Sequence, residues 1–189
     1  MLQEPNRVSI NASNDEIERL SNYCLGAVIT NEPFDSALRP MLGYWNSLGK
    51  RGKIPRLSDM PPDADAFRRL RREITEIDTR GDNPENFKIV RHRPGNIRKL
   101  ITDLDRKSLS EFPCSFVSES LIREYSQVCQ SGVPRYQEID QAVCGVARHY
   151  MRLMLPLSDH LNRVCHVMTA IRVVSEPYIL QRKIIKNID

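Results

Sequence analysis

The stretch from Arg163 to Val174 constrains the fold more than any other part of the chain. In a strand, successive side chains point to opposite faces. Cys165, Val167, Ile171 and Val173 then line one face, while Val164, His166, Met168 and Ala170 line the other. A strand that is apolar on both faces is usually central and covered on both sides. A chain that carries it needs a sheet and two separate covers. The amphipathic segments before residue 49, or a second subunit, are the candidates for the second cover.

Other stretches supply the rest of such a sheet. From His149 to Leu157 the pattern alternates, with Met151, Leu153, Leu155 and Leu157 on one side and Tyr150 and Arg152 on the other. Arg135 to Val143 is a weaker strand pattern. Phe87 to Arg93 reads as a strand stopped by Pro94-Gly95. Ile74 and Ile77 fit either a continuing helix or a short strand, and periodicity does not decide between them.

The helices come from 3.6-residue spacing and from capping chemistry. Ser13 and Glu16 form a capping box ahead of Ile17, Leu20, Cys24, Ala27 and Val28, and Asn31-Glu32-Pro33 ends that segment. A second helix is predicted from Ser36 to Leu48, with Leu38, Met41, Leu42, Trp45 and Leu48 as its apolar stripe. Asp63 starts a third, in which Phe67 and Leu70 sit among four arginines. Ile97, Leu100, Ile101 and Leu104 make a short helix, and Ser108 with Glu111 makes a further capping box. The longest helix runs from Ser118 to Gln130, with Leu121, Ile122, Tyr125, Val128 and Cys129 inward and Gly132 closing it. The tail from Glu176 is basic and amphipathic.

At 189 residues, with 40% hydrophobic and 28% charged residues, the chain suits one domain with modest appendages. The expected division is an N-terminal extension with an amphipathic helix over 1–35, a domain over 36–175 and a tail over 176–189. Five scattered cysteines without a Cys-x-x-Cys read as reduced thiols, and hence a cytoplasmic location. No apolar run nears the roughly 20 residues a membrane span needs. The net charge of +4 is concentrated in residues 50–99, which carry 14 basic and 8 acidic groups. No aromatic residues interleave the basic ones, which disfavours a nucleic-acid partner.

Catalytic signatures are missing. There is no Gly-x-Ser-x-Gly elbow, P-loop or Gly-x-Gly-x-x-Gly. Cys165 and His166 are adjacent and point to opposite faces of their strand, so no metal site is expected from them. Cys114, in Phe112-Pro113-Cys114-Ser115, has nothing beside it to lower its pKa. No carboxylate pair sits in an apolar setting that would split its titration. Arg68 and Arg72 are spaced like a phosphate clamp, but an exposed helix face accounts for them. The expectation is a protein that is not an enzyme, with no catalytic residue and no metal.

The stretches Tyr44-Trp45, Gly52-Lys53-Ile54-Pro55-Arg56, Asp59-Met60-Pro61-Pro62 and Tyr150 to Ser158 resemble the PAS superfamily, within it a bacterial stand-alone group of undefined function. The resemblance spans residues 38–175. It implies an α+β fold: a five-stranded antiparallel sheet with short helices on one face, and N-terminal helices covering the other face or a dimer partner. It also implies that Ile74 to Thr79 is the first strand, paired with Phe87 to Arg93. One departure is that His160-Leu161-Asn162 stands where the family's last hairpin usually has glycine. The flavin-binding run Asn-Cys-Arg-Phe is missing, and Ser118 to Gln130 holds no histidine for haem, so no cofactor is implied. The implied role is a sensory or signalling module that binds a small ligand, a protein partner or both, and acts as a homo-oligomer. The expected pocket is lined by Leu121, Tyr125, Leu153 and Ile171. Leu38, Leu42, Trp45 and Met168 are expected at an interface or sheet cover. The alternative is an adaptor whose cavity is filled by its own side chains, among them Met151, Leu155 and Phe116.

Overall fold

A computed structural model of the chain describes residues 22–25, 37–49, 52–60, 74–92, 106–112, 115–143, 146–174 and 178–179. Its strands are β1 (Asn22–Leu25), β2 (Ile74–Asp78), β3 (Lys88–His92), β4 (Arg135–Val143), β5 (Val146–Ser158), β6 (Val164–Val173) and β7 (Tyr178–Ile179). The two α-helices of the described residues are α1 (Arg39–Leu48) and α2 (Ser115–Ser131).

The strands form one sheet in the order β1-β4-β5-β6-β2-β3, and every ladder in it is antiparallel. The five contiguous strands β4-β5-β6-β2-β3 are the sheet expected from the PAS resemblance, with Ile74–Asp78 as its first strand. The fold is α+β and PAS-like. β5 is long enough to carry β6 from Tyr150 to Ser158 and β7 at Val146 and Ala147.

β1 and β7 widen the expected sheet. Residues 22–25, predicted within a helix, are a strand paired with Asp140–Val143. The pairing supplies hydrogen-bond partners along an edge of β4 that would otherwise be bare, and this overrides a weak helical periodicity. The rest of that predicted helix lies outside the described residues. So do the helices predicted from Asp63 and over residues 97–104. The capping box at Ser108 and Glu111 is present, and it closes a single 3₁₀ turn.

Strand alternation sorts the core into two layers. On one face, Ile74, Tyr136, Leu153, Leu155, Leu157, Met168 and Ala170 pack under Leu38, Met41 and Leu42 of the α1 segment. On the other, Ile77, Ile89, Met154 and Val167 pack under Tyr125 and Val128 of α2. Each fully buried Leu, Ile or Met contributes about 1.5–3 kcal/mol. The second face of β6 is therefore covered by α1 of the same chain. Of the two candidate covers, the segment before residue 49 is the one that lies on this face.

The ends of the elements follow local chemistry. Pro40 sits in the first turn of α1, where its missing N–H costs nothing. Gly132, at φ +65°, closes α2 by donating its amide to the Val128 carbonyl. In the β5–β6 hairpin, Asn162 adopts φ +62°, the left-handed conformation that the family's glycine would take. The Asp159 carboxylate secures that loop by accepting from the amides of Leu161 and Arg163 at 2.8 and 3.0 Å.

Candidate functional site

The interface between α2 and the sheet is mostly apolar, yet it encloses a charged cluster. Arg152 lies on the opposite side of β5 from Leu153 and is 4% exposed. Its strand neighbour in the β4–β5 register is Gln137, which is fully buried. Glu124, 8% exposed, descends from α2 and forms an ion pair with the Arg152 guanidinium. The Gln137 Oε1 accepts from Arg152 Nε at 3.1 Å and from Nη2 at 2.5 Å. That fixes the amide so that Nε2 points at Glu124 Oε1, 3.5 Å away. Ser120 adds a weak bond of 3.4 Å to the same carboxylate oxygen.

Beside this cluster, the buried Tyr125 hydroxyl shares a hydrogen bond of 2.8 Å with Thr169 of β6. Burial pushes the Tyr125 phenol up to about 12, partly offset by that bond, so it stays neutral at physiological pH. Cys129 and Cys165 are free thiols whose pKa values burial raises, which favours the protonated form.

The residues expected to line a pocket divide between the two faces. Leu121 and Tyr125 belong to the α2 layer. Ile171, half-buried, is opposite Arg152 in the β5–β6 register and so shares that face. Leu153 does not join them: it lies in the α1 layer with Leu38, Leu42, Trp45 and Met168. The reason is the two-residue period of β5. The side of the strand that carries Leu153 and Leu155 faces α1, and the side carrying Arg152 and Met154 faces α2.

Sequence reasoning missed Glu124 and Gln137. A signal for Glu124 existed: it falls three residues after Leu121 and four before Val128, within the apolar stripe of its helix. A carboxylate in that position needs a buried partner. Gln137, in the weakest strand pattern, gave no comparable sign.

On the α1 side, the stretches that carry the family resemblance meet. The Trp45 indole donates to the Pro156 carbonyl at 2.7 Å. The Ser158 amide donates to Pro55 O and its hydroxyl to Ile54 O, each at 2.8 Å. Arg56 forms a parallel bridge with Ser158. The β4 ladder ends at Met154, so beyond it β5 is an edge, where a proline is tolerated and a carbonyl needs a new donor.

At the far end of β6, His166 is 7% exposed and its Nδ1 has no hydrogen-bond partner. Burial lowers its pKa, and the nearby Asp78 carboxylate opposes that shift. Burial alone would raise the Asp78 carboxyl. The side-chain and backbone bonds from Arg80 outweigh it and hold the group below its usual value. Among the described residues no group of three or more His, Cys, Asp or Glu is arranged to hold a metal ion. No helix among them is long and apolar enough to cross a membrane.

No family model and no curated protein matches this chain. Among solved structures, it is similar to the PAS domain from Bordetella pertussis BvgS. The identity is 18%, over 55% of this chain and 76% of that one, with a TM-score of 0.39. The PAS-like order of the five contiguous strands β4-β5-β6-β2-β3 stands on the hydrogen-bond ladders of the chain itself.

Proposed function

We propose that the chain is a non-catalytic sensory or signalling module that acts in the cytoplasm through a small ligand, a protein partner or both, and the partner can be a second copy of itself. The domain over 36–175 does the sensing, and α2 is the element that moves. The Glu124–Arg152–Gln137 cluster between α2 and the sheet carries this reading. A buried ion pair stabilises a fold no better than well-packed apolar side chains would. It does make the helix position depend on one specific contact. A ligand that engages the sheet side of this interface would change that dependence and shift the helix between two populations.

A second reading is supported by the packing. Leu121, Tyr125, Val128, Met154 and Val167 already fill the apolar part of the interface. An adaptor that binds only a protein partner needs no more than that.

Hydrogen exchange of α2, measured across a thermal-shift screen of bacterial metabolites including cyclic dinucleotides and small carboxylic acids, separates the two. A sensor yields at least one compound that raises stability, by about 2.7 kcal/mol at a hundredfold over its Kd. That compound also alters exchange in α2, and its effect is lost in Tyr125→Ala. A screen without such a compound overturns the sensor and leaves the adaptor.

A further inference from the structure

We infer that the sheet carries a carboxylate-binding site whose resident occupant is the Glu124 side chain, and that a small carboxylic acid with a short apolar body competes for it. The inference rests on reading α2 as the moving element. Its basis is the donor set. Arg152 and Gln137 come from adjacent strands at directly opposed positions, so the platform is held by the β4–β5 ladder and not by the helix. Both point donors at one place: the guanidinium Nη2 at Glu124 Oε2, and the Gln137 amide Nε2 at Glu124 Oε1. The Gln137 carbonyl is already satisfied by Arg152, which leaves its amide N–H₂ turned outward to donate. Two donors with no exposed acceptor between them match a carboxylate and not a neutral amide.

The occupant is tethered to the more easily displaced element. α2 is held to the sheet by side chains alone, through apolar contacts, this cluster and the Tyr125–Thr169 bond, whereas Arg152 lies in the longest strand of the sheet, fixed by backbone ladders on both sides. Removing Glu124 alone would strand a buried charge. Exchanging it for another carboxylate keeps Arg152 paired and returns Glu124 to water. The exchange therefore avoids the large penalty that opposes breaking the pair. Ile171, directly opposite Arg152 on β6, stays with the sheet and provides apolar contact for a short hydrocarbon body. Thr169 of β6, parted from Tyr125 when α2 leaves, provides a second polar point on the sheet. The signal would be release of α2, since a ligand on the platform and Glu124 cannot occupy it together.

Propionate, with propionamide as the neutral control, tests this on the full chain at constant ionic strength. Calorimetric titration of wild type is expected to show weak, saturable propionate binding, none with propionamide, and loss of hydrogen-exchange protection in α2. Glu124→Ala, which vacates the platform, is expected to bind propionate at least about tenfold more tightly, because the resident competitor is gone. The double variant Glu124→Ala/Arg152→Met replaces the pair by apolar groups and is expected to fold without binding. The inference is overturned if wild type shows no saturable propionate binding up to the millimolar range. It is equally overturned if the double variant binds as tightly as Glu124→Ala. If propionate fails while another metabolite alters α2, the carboxylate site falls and the sensing role stands. If nothing alters α2, both fall.

Discussion

Trp45 of α1 donates its indole N–H to the carbonyl oxygen of Pro156 at 2.7 Å, although 111 residues separate them in the chain. Together with the Ser158–Pro55 bond it satisfies the edge of β5 where the β4 ladder has ended, and it pins α1 over the layer of Leu153, Leu155 and Met168.

Trp45→Ala is expected to cost about 3 kcal/mol, at the low end for a buried aromatic because the indole is only half-buried. Trp45→Phe keeps most of the packing and loses the donor, for about 1–2 kcal/mol. Equilibrium urea unfolding measures both. A Trp45→Ala midpoint equal to wild type would mean that α1 does not hold this face.

Tyr125→Phe leaves the buried Thr169 hydroxyl without its partner, and about 1–2 kcal/mol should be lost. Removing both polar groups in Tyr125→Phe/Thr169→Val should recover part of that loss, because no orphan then remains. Additive losses in this double-mutant cycle would show that the two hydroxyls are not coupled.

Gly132→Ala places a side chain at φ +65° and brings its Cβ to 2.7 Å from the Ile54 Cδ1. The Ile54 methyl can rotate away, but the backbone strain stays, so about 1–2 kcal/mol is expected. Adding Ile54→Val should relieve only a minor share, read as a small recovery in thermal midpoint. Full recovery would place the cost in the contact and not in the backbone.

His166 should make the protein acid-sensitive before its carboxylates titrate. Its pKa is lowered in the folded state by burial, so between the folded and unfolded values the unfolded chain binds the extra proton. Its contribution is complete above the ordinary imidazole value of about 6.5 and declines as the pH falls below that toward the lowered one. Asp78, Glu111 and Asp159, also lowered, have contributions that fade only at more acidic pH, from about 4 downward. Urea unfolding from pH 7 to 5 should show stability falling, and His166→Gln should flatten that slope. An unchanged slope would assign the effect to another group.

Local periodicity made much of the architecture legible. The two-faced apolar run around Val167 required a central, doubly covered strand, because alternation is a property of the extended backbone itself. The stripe Leu121, Tyr125, Val128 marked α2 for the same kind of reason, and Gly132 marked its end. Tertiary structure alone decided three things. Asn22–Leu25 pairs with β4 because an edge needs hydrogen-bond partners, a demand that residues 22–25 do not display on their own. Leu153 faces α1 and not α2, because alternation sets relative sides within one strand, while the cover on each side depends on elements far away in sequence. Glu124, Gln137 and Arg152 meet because the strand register sets Gln137 opposite Arg152 and helix docking brings Glu124 down onto them. A sequence displays a buried charge only as an exception to its pattern, and the partner that makes the burial tolerable exists only once the chain has folded.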